Sequence, residues 1–245
     1  MKKMAMVLSV LALVAFAGNA DAQWYAKGDM YCAPGCFNFD AGNEMFDDGT
    51  NGDVTSGDGI FSRLVTTDVG AAGKYSWKAA VADWSISYPG SNQFVHINAA
   101  AEQVLFTLDT NVYADGFIPT TNIAWSDHYA PVGAAYEVIG AAPETGGWAD
   151  GIVAAEAGGV HSVTITIGTA GNYDFLWRVD NDWDAQTIRQ DGGASGGANL
   201  NYTTTVDNQD VLFEFDANTG RTRTTVLTPT ATDETSWTGM KELFR

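Results

Sequence analysis

Tyr75-Ser76-Trp77-Lys78-Ala79-Ala80-Val81 alternates in character, and Tyr173-Asp174-Phe175-Leu176-Trp177-Arg178-Val179 repeats the pattern further along the chain. Successive side chains of an extended strand point to opposite faces. Tyr75, Trp77, Ala79 and Val81 therefore share one face, and Ser76, Lys78 and Ala80 the other. In the second stretch Tyr173, Phe175, Trp177 and Val179 are expected inward, with Asp174, Leu176 and Arg178 outward. Two bulky aromatic stripes at a period of two read as core faces of half-buried strands.

The neighbourhood repeats as well. Asp58-Gly59-Ile60-Phe61-Ser62 returns as Gly158-Gly159-Val160-His161-Ser162, Trp84 as Trp183, and Val104-Leu105-Phe106-Thr107-Leu108-Asp109 as Val211-Leu212-Phe213-Glu214-Phe215-Asp216. Nearly constant offsets mean two copies of one unit with insertions in loops. A unit of about 100 residues is a whole domain. Strands are expected over residues 61–67, 74–82, 93–97, 103–109, 135–140, 161–167, 172–179, 200–206, 210–216 and 222–227. Each is rich in Val, Ile, Thr or aromatic residues and bounded by Gly, Asn, Asp or Pro. The expected fold class is all-β: two tandem antiparallel β-sandwiches with a short C-terminal helical tail.

The expected organisation is a signal peptide (1–22), module one (23–111), a connector (112–130), module two (131–229) and a tail (230–245). Lys2 and Lys3 precede an apolar run from Met4 to Ala17, and Ala20-Asp21-Ala22 has the small-x-small form of an export cleavage site. The chain is thus expected to be exported, to the periplasm, the outer surface or the medium. No other long apolar run suggests membrane insertion. Trp237, Met240, Leu243 and Phe244 of the tail have helical spacing, read as a cap on module two or as a docking tag for a protein partner.

The formal charge is −18. Without Lys2, Lys3 and Asp21 it becomes −19, from 10 basic against 29 acidic residues. Such a field disfavours nucleic acid, whose phosphates need basic side chains to release counterions. The two cysteines, Cys32 and Cys36, flank Pro34-Gly35, a turn dipeptide, and are expected to form a disulfide in an exported chain.

Two constellations bear on function. The run Asp47 to Asp58 places oxygen donors Asp47, Asn51, Asp53 (with its neighbour Thr55) and Asp58 around tight glycine turns, which approximates a calcium loop. Gly49 and Asp58 depart from the usual pattern at its third and twelfth positions. Calcium is the expected cofactor, and the other reading is an Asp/Gly-rich turn. The second constellation is aromatic. Trp148 follows Gly146-Gly147, Trp183 follows Asp180-Asn181-Asp182, and Trp84 precedes Tyr88-Pro89-Gly90. Indoles in polar turns offer flat apolar faces to the C–H surface of a sugar. The alternative is a ring folded over the sandwich edge.

Tyr136 to Gly140, Gly146-Gly147-Trp148 and Gly171 to Trp183 together resemble the starch-binding modules of outer-membrane glycan-capture proteins. Tyr75 to Trp84 resembles the matching stretch of pullulanase-associated modules. The resemblance implies a glycogen-binding, early-set immunoglobulin-like fold and a site of two Trp and a Lys. Carried over residue by residue, it gives Trp148 and Trp183 in module two, where Leu176 replaces the Lys. In module one it gives Lys78 and Trp84, with Phe39 or Phe46 as candidates for the first ring. Catalysis is not expected: His96, His128 and His161 stand in unrelated contexts, and no nucleophile elbow or metal-type His pair occurs. The expected function is non-catalytic binding of a polysaccharide or cell-surface glycan, α-glucan-like. The rival is a structural or adhesive envelope protein without a sugar ligand.

Overall fold

The structure, a computed structural model, describes residues 23–29, 42–67, 72–194 and 196–228. The expected signal peptide, the Cys32–Cys36 pair, Phe39 and the C-terminal tail lie outside the described residues. Within them the chain is all-β and its strands pair antiparallel; no α-helix is present.

Module one contains β1 (Trp24–Gly28), β2 (Ile60–Thr66), β3 (Gly73–Val81), β4 (Ser87–Ile97), β5 (Gln103–Asp109) and β6 (Ile123–Ser126). They form two three-stranded sheets, ordered β1-β3-β4 and β2-β5-β6. The inward stripe of β3 meets the other sheet at Trp77, whose ring lies edge-on to Phe106 of β5 at 4.7 Å. Both side chains are fully buried. Module two contains β7 (Tyr136–Gly140), β8 (Ile152–Val153), β9 (Ala155–Ala157), β10 (Val160–Ile167), β11 (Gly171–Val179), β12 (Asp182–Ile188), β13 (Leu200–Thr204), β14 (Gln209–Asp216) and β15 (Arg221–Val226). One sheet runs β15-β14-β10-β9; the other runs β12-β11-β7-β8, with β13 also paired to β11. Phe175 and Trp177 of β11 pack against Phe213 and Phe215 of β14, closing this core.

The duplication holds at the level of register. Ile60 pairs with Asp109 and Val160 with Asp216, the positions that the two sequence copies align. Each copy then ends its second paired strand in the same lock. Asn111 Nδ2 donates to Asp58 O and Asp109 Oδ1 at 2.9 Å each. Asn218 Nδ2 donates to Gly158 O at 3.1 Å and Asp216 Oδ1 at 3.0 Å. The glycine beside each lock has positive φ, +82° at Gly59 and +84° at Gly159. A Cβ on Gly159 would lie 2.3 Å from Asn218 Nδ2, so only glycine fits there.

All ten expected strands form, with shifts of a residue or a few at their ends and an earlier start, at Ser87, for β4. Five others join them. β1 pairs with β3 as β7 pairs with β11, so Trp24 is the counterpart of Tyr136. β6 lies inside the expected connector and pairs with β5. The stretch around Asp115 to Pro119 is strapped to module two. Ile118 and Thr222 exchange backbone hydrogen bonds, and Arg221 grips Asp115 through both guanidinium amines at 2.9 and 2.6 Å. The outer face of β11 departs from expectation. Leu176 and Arg178 are each only 1% exposed, because the chain after β7 and the start of β12 fold across that face.

Candidate functional site

The segment after β7 and the β11–β12 turn build one aromatic patch. After Gly140 the chain makes a single 3-10 turn, Pro143–Thr145, ending at Gly146 with φ +87°. A Cβ on Gly146 would sit 1.7 Å from Asp150 O, so this reversal requires glycine. Trp148 follows at φ +68°, its amide donating to Gly140 O at 3.0 Å. Left-handed backbone is unusual for a bulky residue and costs on the order of 1–3 kcal/mol. On the other side Asp180 and Asn181 both have positive φ, 52° and 54°. That is the two-residue turn matched to the twist of a hairpin. It delivers Trp183 to the second position of β12, so this ring stands on a strand rather than in the polar turn expected.

The two indoles meet with centroids 6.4 Å apart and planes tilted by 37°. Trp183 is 46% exposed and Trp148 half-buried. Beneath Trp183 lies the Arg178 guanidinium, 4.7 Å from the ring centroid. Arg178 Nε donates to Glu137 Oε1 at 2.5 Å, and Nη2 reaches Asn181 Oδ1 and Ala149 O. One buried cation thus ties both edges of the patch to the sheet floor. Val153, 61% exposed, pairs with Glu137 and stands on the same face. Asp182 and Asp184 flank Trp183 along β12 and are exposed, but strand alternation turns them to the side opposite its ring. Chemically the patch offers two apolar faces and a desolvated cation behind one of them.

Module one is arranged differently. Lys78 points toward module two: Nζ donates to Gly90 O at 2.5 Å and lies near the Asp191 carboxylate. Burial lowers its pKa from the usual lysine value, and Asp191 partly offsets this. Trp84 stands at the tip of the β3–β4 hairpin, 41% exposed, with φ +61°. The first-ring candidate Phe46 is half-buried; Arg63 lies over its face at 5.8 Å, and its backbone bridges to Ser62. The structure therefore gathers the module-two rings into one surface and turns Lys78 into a contact between modules.

In the acidic loop the structure brings together Asp47, Asp53 and Asp58, whose ligand atoms lie within 4.8 Å of one another. Asn51 serves elsewhere: its Oδ1 accepts from Arg63 Nη1 at 3.4 Å. The carboxylates also staple the loop. Asp47 accepts the amides of Gly57, Asp58 and Gly59, and Asp53 those of Gly49 and Thr55.

Sequence reading missed Arg178 and Glu137 as site residues. Their signal is a cross-strand charge pair, visible only once the β7–β11 register is known. No helix among the described residues is long and apolar enough to cross a membrane. No protein-family model matches the sequence, and no curated protein matches it.

Proposed function

We propose that this is an exported, non-catalytic protein that binds an α-glucan-like polysaccharide through Trp148 and Trp183 of module two. The observation that carries the reading is the indole pair, tilted by 37° and partly open to solvent over a fixed cation. A tilted pair suits a curved glycan, which turns successive sugar faces, better than a flat ribbon. Exposed aromatic surface of this kind is costly to leave in water and marks recognition sites. In module one Trp84 is the corresponding exposed ring, and Lys78 contributes by fixing the hairpin that carries it.

Affinity electrophoresis on glycogen and other polysaccharides tests this. The wild-type chain is expected to be retarded. Trp183→Ala should weaken retention by at least about tenfold, which is about 1.4 kcal/mol. Its stability should change by no more than about 1 kcal/mol, since the ring is half in water. Unretarded migration of the wild type on every polysaccharide removes the reading. It then favours the structural envelope protein, which the docking of the two modules on each other supports.

Calcium at Asp47, Asp53 and Asp58 belongs to the same proposal, as a stiffener of module one. Three carboxylates so close repel one another, and a divalent ion accepting their oxygens relieves this. Calcium at a hundredfold its dissociation constant should stabilise the fold by about 2.7 kcal/mol. Asp53→Ala and Asp58→Ala should abolish the rise in melting temperature. A melting curve unmoved by millimolar calcium rejects the ion.

A further inference from the structure

β12 carries Trp183 on a stretch that β11 does not hold. Val179 pairs with Asp182, and the next pair back along β11 joins Arg178 to Thr187. Trp183 to Gln186 therefore bulge out of the ladder and face no β11 residue. A bulge re-aims side chains and leaves backbone groups without their ladder partners. Such groups look for partners elsewhere, because an unpaired backbone amide or carbonyl is costly away from water.

Module one supplies them. Lys74 and His96 stand directly opposite each other across β3 and β4. Alternation puts both on the outer face of that sheet, away from the core residues Trp77 and Val95. Lys74 Nζ donates to the backbone carbonyl of Asp184. The His96 ring lies within hydrogen-bonding reach of the Ala185 backbone. Two facing side chains of module one thus hold two successive residues of the bulge, the first of them next to Trp183. Both side chains are themselves anchored. The Lys74 ammonium sits over the Phe94 ring, 4.1 Å from its centroid. His96 is 8% exposed, and burial together with the Lys74 charge lowers its pKa from the usual value. A ring that is neutral at pH 7 does not repel the lysine beside it. From module two, by contrast, Arg178 and Trp148 touch only the Trp183 ring.

We infer that module one positions Trp183 through Lys74 and His96, so that the affinity of the indole pair depends on the docking of the two modules. The inference rests on the polysaccharide reading above. Lys74 and His96 are positioning residues: they set the path of the chain beneath the ring and do not touch the glycan. Without them the binding-competent pose becomes a fraction of the population, and apparent affinity falls by that fraction.

Affinity electrophoresis on glycogen, combined with NMR of the Trp183 indole Nε1–H, tests this. Lys74→Met keeps a stem on Phe94 and removes the donor. It should weaken retention about fivefold and shift the Trp183 signal, which is assigned by its loss in Trp183→Phe. Lys74→Arg restores cation and donor and should return both readouts toward the wild type. His96→Phe keeps a ring in place and should act in the same direction as Lys74→Met by a smaller factor. The signals of Trp77 and Trp177, fully buried in the two cores, should stay where they are. In a Trp183→Ala background Lys74→Met should change retention no further, because its effect passes through that ring. A Trp183 signal unmoved by Lys74→Met overturns the inference and leaves wild-type retention intact. So does a further fivefold loss in the Trp183→Ala background, which would make Lys74 a direct glycan contact. A wild type unretarded on every polysaccharide removes the polysaccharide reading and the dependence on module one together, so the two failures are told apart.

Discussion

Arg178 shows how one residue can set both stability and a site. Its guanidinium is 1% exposed, and Glu137, its ion-pair partner, is 4% exposed. Two charges taken out of water are stabilised only if their remaining hydrogen-bonding groups find partners. Asn181 Oδ1, Ala149 O and the Trp183 ring supply these. Arg178→Ala would leave Glu137 buried and unpaired, and breaking a buried pair from one side costs about 3–5 kcal/mol. The double substitution Arg178→Met with Glu137→Met removes both charges and fills the space, so it should cost far less than the single change. Urea denaturation of the two variants beside the wild type measures this. The double variant should nonetheless weaken polysaccharide retention, because Trp183 loses the cation that holds its ring. Equal destabilisation by single and double variants would show that packing, not the stranded charge, dominates.

At the scale of elements, alternation of residue types was the legible part. β3 and β11 declared themselves because Tyr, Trp, Phe and Val recur at a period of two, and each inner stripe lies where it was expected, in a core. β12 was hidden because Asp182-Trp183-Asp184 resembles a polar loop; the I′-type turn at Asp180-Asn181 makes it a strand. β1 was hidden by Lys27, a residue poor in strands, yet fully buried in the structure. β6 was hidden by its length of four residues and by prolines at 119 and 131. The outer face of β11 was misjudged because strand periodicity says nothing of what a loop later lays over it. Leu176 and Arg178 occupy the polar phase of the pattern and are buried all the same. The site was legible in its rings, since Trp148 and Trp183 do meet. In the acidic loop three of the four expected ligands converge, while Asn51 turns to Arg63. A sequence lists oxygen donors, and only the path of the backbone decides which of them face one point.

For the whole molecule the issue is whether two modules act as one body. The chain after β12 reaches from module two onto β4 of module one. Asp191 Oδ2 accepts Ser91 N at 3.0 Å and Ser91 Oγ at 2.9 Å, while Oδ1 accepts Gly193 N at 2.9 Å. Gln93, 1% exposed, donates to Gly192 O and to Ala124 O, both at 2.7 Å. Ala194 N donates to Asn92 O at 2.8 Å. Burial would raise the Asp191 pKa, but the donors from Ser91 and Gly193 outweigh it and hold the carboxyl below its usual range. A carboxylate with a depressed folded-state pKa contributes stability above its unfolded value of about 3.9, and that contribution is lost as pH falls through the folded value. Above pH 5 the two sandwiches should therefore melt together in one calorimetric transition. Asp191→Ala strands the Ser91 and Gly193 amides, and hydrogen bonds to a charged group are worth about 1.5–3 kcal/mol. That loss falls on the junction and leaves each core intact. Calorimetry of this variant should resolve two transitions at neutral pH, and the wild type should begin to split in the same way below about pH 4. A single undivided transition for Asp191→Ala at every pH would show that the cores couple through the connector and its Ile118–Thr222 bridge instead.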